Sequence, residues 1–405
     1  MRQRPRLLLA SIAIASVLAT AACSSAAPGS NSTSGPITIG MSLPLSGPVA
    51  DVSKSGYEGY QQWVADVNAA GGLLGRQIKL DVLDDGFDPD SSVANYTKLI
   101  SQDKVDLLLG TFSSHLNGPV SAVAERQGML YIEPSGGDPA LFTRGFKNLF
   151  FAQPATGDAL PDQFLAWLAA LPASEKPKTA AYVSQDDPAV SGSTEVFTKK
   201  LEAAGVKTVF NQVYAPDTSS FDSVASAIAA AKPDLIINGA VTTDGVQFVR
   251  SLEKVGYSPK IFFQNGSPSD PGYPAAVGAG NADGIFTAVG WSAAANYPGN
   301  SAFVAAYTKK FGAVPSEDAA NSYTAGQVLQ AAVAAVGSLD QKALAKWLHS
   351  HTVQTIVGPL KWNAAGVPQG TLLLAQIQKD NLEIVAPKAA ATVDSAVNPK
   401  PDWRG

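Results

Sequence analysis

The sequence predicts an α/β protein of two doubly wound, Rossmann-like lobes. From Ile37 onward, short runs rich in valine, isoleucine and leucine alternate with segments of helical period, which is the pattern of βαβ units whose parallel sheet is covered on both faces. About 360 residues follow the amino-terminal segment, which is enough for two domain-sized cores. The single cysteine leaves burial, rather than disulfides, to stabilise these cores.

The first series of segments predicts one complete lobe. Its first helix ends at Gly71 and Gly72, which can adopt the positive φ angles that turn the chain into the next strand. We expect strands at 37–42, 78–83, 105–109 and 130–132, and helices at 57–69, 91–101 and 119–126.

The same alternation begins again after Pro154 and predicts the second lobe. No sequence repeat links the two series, so any symmetry between them is one of topology. The segment that follows must complete one or both sheets. In it we expect helices at 301–311, 317–336 and 341–349. In the second lobe we expect a helix ending at Leu171, helices at 194–204, 221–231 and 245–255, and strands at 179–183, 208–213, 235–238 and 261–263.

The loops that follow the strands are the expected ligand site. Open parallel sheets bind ligands beyond the carboxyl ends of their strands, where loops lead into helix N-termini with free N–H groups. These loops are rich in serine, glycine, aspartate, asparagine and proline. They span residues 43–56, 110–118, 133–140, 184–193, 239–244 and 264–272.

The motifs of common catalytic and cofactor sites are missing from the sequence. It contains no G-x-S-x-G, GxxxxGK[ST], G-x-G-x-x-G or H-E-x-x-H segment. His349 and His351 are spaced i, i+2 near a helix end, which is poor geometry for a shared metal. We therefore expect a protein that is not an enzyme and that needs no cofactor and no metal.

Residues 1–22 have the layout of a secretory signal. Arg2, Arg4 and Arg6 precede an apolar core that ends in small residues. The whole chain has a net charge of −5, and removing these arginines makes it more negative. Nucleic acid would be repelled, so we expect no nucleic-acid partner.

The end of the signal segment predicts a lipid anchor. Leu18-Ala-Thr-Ala-Ala-Cys23 resembles the bacterial lipobox, in which the cysteine becomes the acylated first residue, although Thr20 replaces the usual leucine. Residues 24–36 are small and polar with two prolines and cannot bury apolar surface, so residues 23–35 are expected to form a flexible tether.

Several ordered segments resemble a known family. They are ITIGMSLPLSGPVA, GYEGYQQWVADVNAAGGLLGRQIKL, DDGFDP, VDLLLGTFSSHLNGPVSAVAERQGMLYIEPSG and TIVGPLKWNAAG. In this order and spacing the chain resembles, across residues 36–390, the branched-chain amino-acid-binding (leucine-binding protein-like) family of type I periplasmic solute-binding proteins of ABC transporters. The resemblance implies the periplasmic binding protein-like I fold, with two lobes joined by a three-stranded hinge.

The same resemblance implies the course of the chain and its function. The chain would cross between lobes near Gln153, Thr287 and Thr355. The resemblance implies that the protein captures its ligand by hinge closure and delivers it to an ABC permease. It also implies a monomer that is anchored to the outer face of the cell membrane through Cys23. Lobe 1 would comprise 36–153 and 288–354, lobe 2 would comprise 154–287 and 355–390, and 391–405 would form a tail.

The resemblance also implies two ligand-binding loops in the first lobe. Ser114 matches the family's serine that clasps the ligand's carboxylate, and Gly137 stands where the family has a threonine. Aromatic side chains such as Tyr57 and Trp291 could line a pocket, although core packing is at least as expected for each. The expected contacts of this lobe are Phe112, Ser113, Ser114, Ser135, Gly136 and Gly137.

The second lobe departs from the family at the positions that hold an ammonium group. Val241 stands in place of a tyrosine and Asn265 in place of a glutamate. A carboxylate facing an ammonium contributes roughly 1.5 to 3 kcal/mol, which a neutral amide does not match. Asp186 or Asp187 is an alternative source of the missing charge.

These departures leave the cargo open. An amino acid keeps the family's chemistry, whereas an aromatic acid, a keto acid or a short amide would explain Val241 and Asn265 directly. A sensory protein that presents its ligand to a membrane receptor is a further alternative, which the sequence does not separate from transport.

Overall fold

A computed structural model describes residues 35–240 and 243–403 of the chain, without the side chains of residues 188 and 189. The predicted signal segment, Cys23, most of the tether and Val241 lie outside the described residues. Within the described ranges, no helix combines the length and the apolar character needed to cross a membrane.

The strands form two open sheets and a short antiparallel pair. Their apolar runs are buried on both faces, as a sheet covered by helices requires. In chain order the strands are β1 (Ile37–Leu43), β2 (Ile78–Asp84), β3 (Leu107–Leu109), β4 (Tyr131–Glu133), β5 (Leu149–Phe151), β6 (Thr179–Gln185), β7 (Lys207–Tyr214), β8 (Leu235–Gly239), β9 (Ile261–Asn265), β10 (Ile285–Val289), β11 (Val353–Thr355), β12 (Gly358–Leu360), β13 (Leu373–Gln378) and β14 (Asn381–Ala386).

The helices cover the faces of these sheets. Several begin with a side-chain cap, as at Asp88, Ser316 and Asp340, whose oxygens accept from backbone N–H groups of the first turn. In chain order the helices are α1 (Ala50–Ala69), α2 (Pro89–Ser101), α3 (Ser113–Arg126), α4 (Asp162–Ala170), α5 (Pro188–Ala203), α6 (Asp222–Ala231), α7 (Thr243–Lys254), α8 (Tyr273–Val277), α9 (Asn300–Phe311), α10 (Glu317–Val336) and α11 (Gln341–Leu348).

The first sheet is parallel and has the order β2-β1-β3-β4-β5. One face packs on α1 and on the later helices α9 to α11, and the other face packs on α2 and α3. The antiparallel pair β11–β12 joins the same core. We call this body the first lobe.

The second sheet has the order β14-β13-β10-β9-β8-β6-β7. It is parallel from β10 to β7, and β13 and β14 extend it by antiparallel pairing. Apolar clusters fill both faces, and we call this body the second lobe. The mixed α/β fold with two lobes is the one that the sequence predicts.

Glycines bring α1 and α10 unusually close together. A Cβ at Gly59 would lie 2.0 Å from the backbone oxygen of Ala319, and one at Gly326 would lie 2.2 Å from the Trp63 ring. Real side chains cannot approach so closely, so only glycine permits this contact. The contact sets the position of the amino end of α10 against the first sheet.

The chain crosses between the lobes at three adjacent places. Gln153 and Pro154 follow β5, Gly290 follows β10, and Gly370 precedes β13. The N–H of Gly370 donates to the Pro154 oxygen at 2.9 Å, and a Cβ at Gly290 would lie 3.4 Å from Gln153 Oε1. The crossovers therefore contact one another and form a joint between the lobes.

The structure corrects the expected starts of three helices. Helix α1 begins at Ala50 rather than 57, α5 begins at residue 188 rather than 194, and α3 begins at Ser113. Pro119, expected to open α3, lies inside it. Buried Asn117 stabilises the early start, because its amide donates to the oxygens of Thr111 and Ser113 at 3.0 and 2.9 Å.

The third crossover lies at Gly370 rather than near Thr355. Residues 355–362, which the resemblance places in the second lobe, pack in the first core through Ile356 and Trp362. Trp362 is buried and donates to the Phe151 oxygen at 2.7 Å, as expected of a packing residue. The described part of the tail packs on the second lobe, where Trp403 donates to the Tyr257 oxygen.

Candidate functional site

The carboxyl edges of the two sheets face each other across the crossovers. Strands β5 and β10 both leave their sheets at the carboxyl end, and each leads directly into the opposite lobe. Because parallel strands end at the same edge, the loops after the other parallel strands lie on this side too. The expected ligand loops therefore converge between the lobes.

A small recess lies at the carboxyl edge of the first sheet. Its volume is about 10 Å³, which is room for about one water-sized group. We call it the first-lobe recess, and it is lined by Leu43, Ser53, Gly56, Tyr60, Thr111, Phe112, Pro134, Ser135, Asp318 and Ser322.

The loop after β3 brings the hydroxyl of Thr111 to this recess. Thr111 is fully buried, and its hydroxyl has no hydrogen-bond partner among the described residues. Ser113 opens α3 with a φ of 62°, a conformation that is costly for a residue other than glycine, and its buried hydroxyl also lacks a described partner. Phe112 is half-buried and lines the recess beside Thr111.

Ser114, the expected carboxylate clasp, ties two loops together. Its hydroxyl accepts the N–H of Asp138 at 3.1 Å, which links the start of α3 to the loop after β4. Ser114 therefore lies at the expected edge, but its hydroxyl is already engaged by the protein.

Backbone N–H groups of the loop after β4 donate hydrogen bonds to a buried carboxyl group of the protein. The N–H groups of Ser135 and Gly136 both donate to Glu133 Oε2. A Cβ at Gly136 would lie 2.7 Å from Glu133 Oε1, so the glycine makes room for this carboxyl. Gly137 is half-buried, and its oxygen accepts from Gly157. The amides of Ser135 and Gly136, which are expected ligand contacts, donate to Glu133 in this structure.

Glu133, which binds the amides of the loop lining the recess, was not identified from the sequence. It is fully buried at the end of β4, and its Oε1 atom has no hydrogen-bond partner within the described chain. Burial raises the pKa of Glu133 to about 8, although the two loop amides act in the opposite direction. The feature of the sequence that points to Glu133 is an acidic residue at the end of an otherwise apolar strand, Leu130-Tyr-Ile-Glu133.

Asp318 is the second missed residue. It lies in the first turn of α10 and reaches the recess because Gly56 and Gly59 allow α10 to approach α1. The withdrawal of its carboxyl group from water raises the pKa of Asp318 to about 6, although part of the residue remains exposed. No salt bridge to Asp318 occurs among the residues described.

The neighbouring Glu317 forms a hydrogen bond with one of the crossovers between the lobes. Its Oε1 accepts the N–H of Gly290 at 2.5 Å. Burial raises the pKa of Glu317 to about 7, and the adjacent Asp318 adds to the rise. Glu317 therefore ties the start of α10 to the chain that leaves the second lobe.

The predicted second-lobe residues are less informative. Asn265 ends β9 at the expected edge, half-buried, with its Oδ1 accepting from the N–H of Gly266 at 2.9 Å. Val241 lies outside the described residues. Asp186 is exposed and Asp187 is half-buried at the end of β6.

Buried polar groups near this second edge bind one another. Asp244 accepts from the Tyr214 hydroxyl at 2.6 Å and from the Gln185 amide at 3.1 Å. Gln264 donates to Asn238 Oδ1 at 2.6 Å and accepts from the Tyr273 hydroxyl at 2.5 Å. These groups form assembled networks within the second lobe.

A larger recess of about 310 Å³ is lined by both lobes. Its acidic residues already have protein partners: Asp270 accepts from Gly272, and Asp380 accepts from Gly280. Glu383 accepts from Thr392. The first-lobe recess is therefore the stronger ligand candidate, because the hydroxyls of Thr111 and Ser53 have no partner among the described residues and Asp318 has no described ion pair.

The aromatic candidates divide between the site and the core. Trp291 is buried and donates to Asn300 Oδ1 at 2.6 Å, so it packs in the first core. Tyr57 packs against the same core and is half-buried. Only Phe112 of the three lines the first-lobe recess. Among the described residues, no cluster of three or more histidine, cysteine or acidic side chains could hold a metal.

Two lobes whose carboxyl edges converge beside three adjacent crossovers define a two-lobed ligand-binding protein. The model of the periplasmic binding protein family matches residues 36–381, so the chain belongs to that family. Membership implies an extracytoplasmic location.

Individual relatives agree with this assignment. The chain is similar to an amino acid binding protein of Pseudomonas aeruginosa, with 27% identity over 333 residues covering 82% of this chain and 87% of the relative. Its fold is similar to LivJ, the branched-chain amino acid transporter substrate binding protein of Streptococcus pneumoniae, solved with isoleucine (TM-score 0.75, 19% identity, 87% and 100% coverage). It is also similar to an ABC transporter solute binding protein of R. palustris, solved with benzoate (TM-score 0.73, 25% identity, 90% and 99% coverage).

Proposed function

We propose that this protein is the extracytoplasmic solute-binding component of an ABC importer, which captures a small amino acid or a related small carboxylate or amide between its lobes. The observation that carries the proposal is the convergence of two carboxyl edges at one joint, with hydroxyl groups at the first edge that have no hydrogen-bond partner among the described residues. The family match and the amino acid binding protein of P. aeruginosa support this reading.

Closure of the lobes is the proposed mechanism of capture. A ligand shifts a hinge equilibrium only by the contacts that it makes better in one state than in the other. A solute held at the first-lobe recess and touched by the loops after β8 and β9 makes those contacts only when the lobes close. The permease then recognises the closed form, and binding and release, rather than catalysis, are the protein's task.

A small aromatic carboxylate is the second candidate cargo. The solute binding protein of R. palustris, which is 25% identical to this chain, was solved with benzoate. Half-buried Phe112 at the recess would offer an apolar face to such a ring.

Anchoring through Cys23 belongs to the same proposal. Acylation of Cys23 would hold the body to the outer face of the membrane, near the permease, through a polar tether. Replacement of the cysteine, Cys23→Ser, should release the protein from washed membranes into the medium or the soluble fraction. Equal membrane retention of both forms would argue against the anchor.

Small-angle scattering with and without ligand tests the proposed capture. The ligand is chosen by thermal melting against amino acids, short amides and aromatic and aliphatic carboxylates, since a ligand at 100 times its dissociation constant adds about 2.7 kcal/mol of stability. Saturating ligand should reduce the radius of gyration. An unchanged scattering profile with a clearly bound ligand would contradict closure.

A further inference from the structure

We propose that Asp318 accepts the ammonium group of the ligand, so that the cargo is an amino acid or another small primary amine. The inference rests on the proposed function and deepens it. It places recognition of the ligand's ammonium group in the first lobe. The family resemblance places this recognition in the second lobe, at the positions of Val241 and Asn265.

The fold places Asp318 among groups that suit an ammonium. Asp318, Thr111 and Ser53 line one recess, although 207 residues of chain separate Asp318 from Thr111. The hydroxyls of Thr111 and Ser53 are buried, with 0% and 2% of each residue exposed, and neither has a hydrogen-bond partner in the described parts of the chain. Two hydroxyl oxygens and one carboxylate give three acceptors for the three N–H donors of an ammonium.

The charge around Asp318 also favours a cation. No lysine, arginine or histidine is among the described residues that line the recess, and Tyr60 is the other titratable group there. Glu317 and Glu133 lie nearby and add no positive charge. An unpaired carboxylate withdrawn from water is costly, and a ligand cation offsets that cost.

A carboxylate is a poor occupant of the same recess. The amides of Ser135 and Gly136, which would donate to it, donate to Glu133 instead. A ligand carboxylate would also face Asp318 at close range, and like charges repel. The recess has room for about one small group, which fits an ammonium, so the rest of the solute would lie outside the recess.

The described acids of the second lobe are weaker candidates. Asp244 already accepts hydrogen bonds from Tyr214 and Gln185. Asp186 is exposed, so water would screen its attraction to an ammonium group. Asn265 is neutral. Asp318 is thus the carboxylate that combines a place in the recess, partial burial and no described ion pair.

Matched ligand pairs test the proposal on the unmodified protein. Calorimetric titration at pH 7.5 compares leucine with 4-methylpentanoate, and phenylalanine with 3-phenylpropanoate, which differ only in the amine. Benzoate is included as the aromatic carboxylate. At least one amino acid should bind, and its partner without the amine should bind at least about 10-fold more weakly.

The variant Asp318→Asn should weaken the amino acid that binds by about 10- to 100-fold and bring its affinity close to that of its amine-free partner. Exposed Asp394 supplies the matched control, since Asp394→Asn makes the same change of charge outside the loops that follow the parallel strands. Thr111→Val, which removes one acceptor, should weaken the amino acid more than its partner.

The outcomes separate the two proposals. Equal or tighter binding of the amine-free partners, or of benzoate, would overturn the role of Asp318 while leaving solute capture intact. So would amino-acid binding that Asp318→Asn leaves unchanged. Failure of every compound in the panel to bind would overturn both the proposed cargo class and the role of Asp318. The ligand pairs need no variant, so misfolding of Asp318→Asn leaves the test decisive.

Discussion

The carboxyl edges of the two sheets are built from similar residue types but are organised in opposite ways. At the first edge, the hydroxyls of Thr111 and Ser53 have no partner in the described structure, and Asp318 has no described ion pair. At the second edge, Asp244 and Gln264 are bound by their neighbours. The first edge is therefore prepared to bind a charged group, and the second edge is assembled before any ligand arrives.

This difference assigns separate tasks to the lobes. A buried polar group without a partner costs free energy, which a ligand that supplies the partner can recover. A satisfied network gains nothing from a ligand but keeps its shape. Recognition of charge thus belongs to the first lobe, and the second lobe provides a fixed surface against which the lobes close.

The largest expected effect is on the contact that positions Asp318. Gly59→Val should destabilise the protein by about 3 kcal/mol, because its side chain would meet the backbone of Ala319. Amino-acid affinity should fall with it. Chemical denaturation and calorimetry measure the two effects.

The control for this variant lies on the second lobe. A Cβ at Gly192 in α5 would meet no atom within 4 Å, so Gly192→Ala should change stability by less than about 1 kcal/mol and leave affinity unchanged. Equal effects of the two variants would contradict the role given to the α1–α10 contact.

The next largest effect concerns Glu133. Its pKa is raised to about 8 in the folded protein, so its contribution to stability is complete below its usual value of about 4.5 and is lost as the pH rises through 8. Over that range the wild type should lose on the order of a few kcal/mol relative to Glu133→Gln. Denaturation midpoints from pH 5 to 9 measure the difference. Parallel curves would mean that Glu133 remains ionised when folded.

A smaller effect is the pH dependence of amino-acid binding. Asp318 must be ionised to accept an ammonium, and its pKa of about 6 predicts constant affinity above that pH. Below it, affinity should fall by up to about tenfold per pH unit.

The groups near Asp318 also titrate, so the variant is the control. Glu317, with a pKa of about 7, shares its helix, Glu133 lies under the adjacent loop, and Tyr60 faces the recess from α1. Asp318→Asn should remove the fall near pH 6 and leave any contribution of these neighbours. A fall that persists in the variant would assign the pH dependence to them.

The smallest effect is expected at Asn265. Its side-chain oxygen accepts from the adjacent N–H of Gly266, and it carries no charge. Asn265→Ala should therefore change amino-acid affinity by less than about tenfold, the effect of one neutral hydrogen bond. A loss as large as that of Asp318→Asn would move ammonium recognition back to the second lobe.

The sequence predicts the fold well because strand and helix periods are local. The strand beginning at Ile37 and the helix 317–336 lie where the pattern places them. The early starts of α1, α3 and α5 were missed because serine, glycine and aspartate in those segments resemble loops. In α1 the extra turns contact a distant element, since the hydroxyls of Ser55 and Ser316 are hydrogen-bonded at 2.6 Å.

The site is only partly predictable from sequence for the same reason. Phe112 and Ser135 follow strands, so the rule of carboxyl edges finds them. Asp318 lies in the first turn of a helix, where an acidic residue is expected simply because it complements the helix dipole. Only the fold brings it to the recess beside Thr111 and Ser53.

The most direct test of this account is a crystal structure of the protein with the amino acid that binds best. We expect closed lobes, with the ligand's ammonium nitrogen about 2.7 to 2.9 Å from a carboxylate oxygen of Asp318 and near the hydroxyls of Thr111 and Ser53. A ligand carboxylate in the recess, or an ammonium bound only by the second lobe, would contradict the role of Asp318.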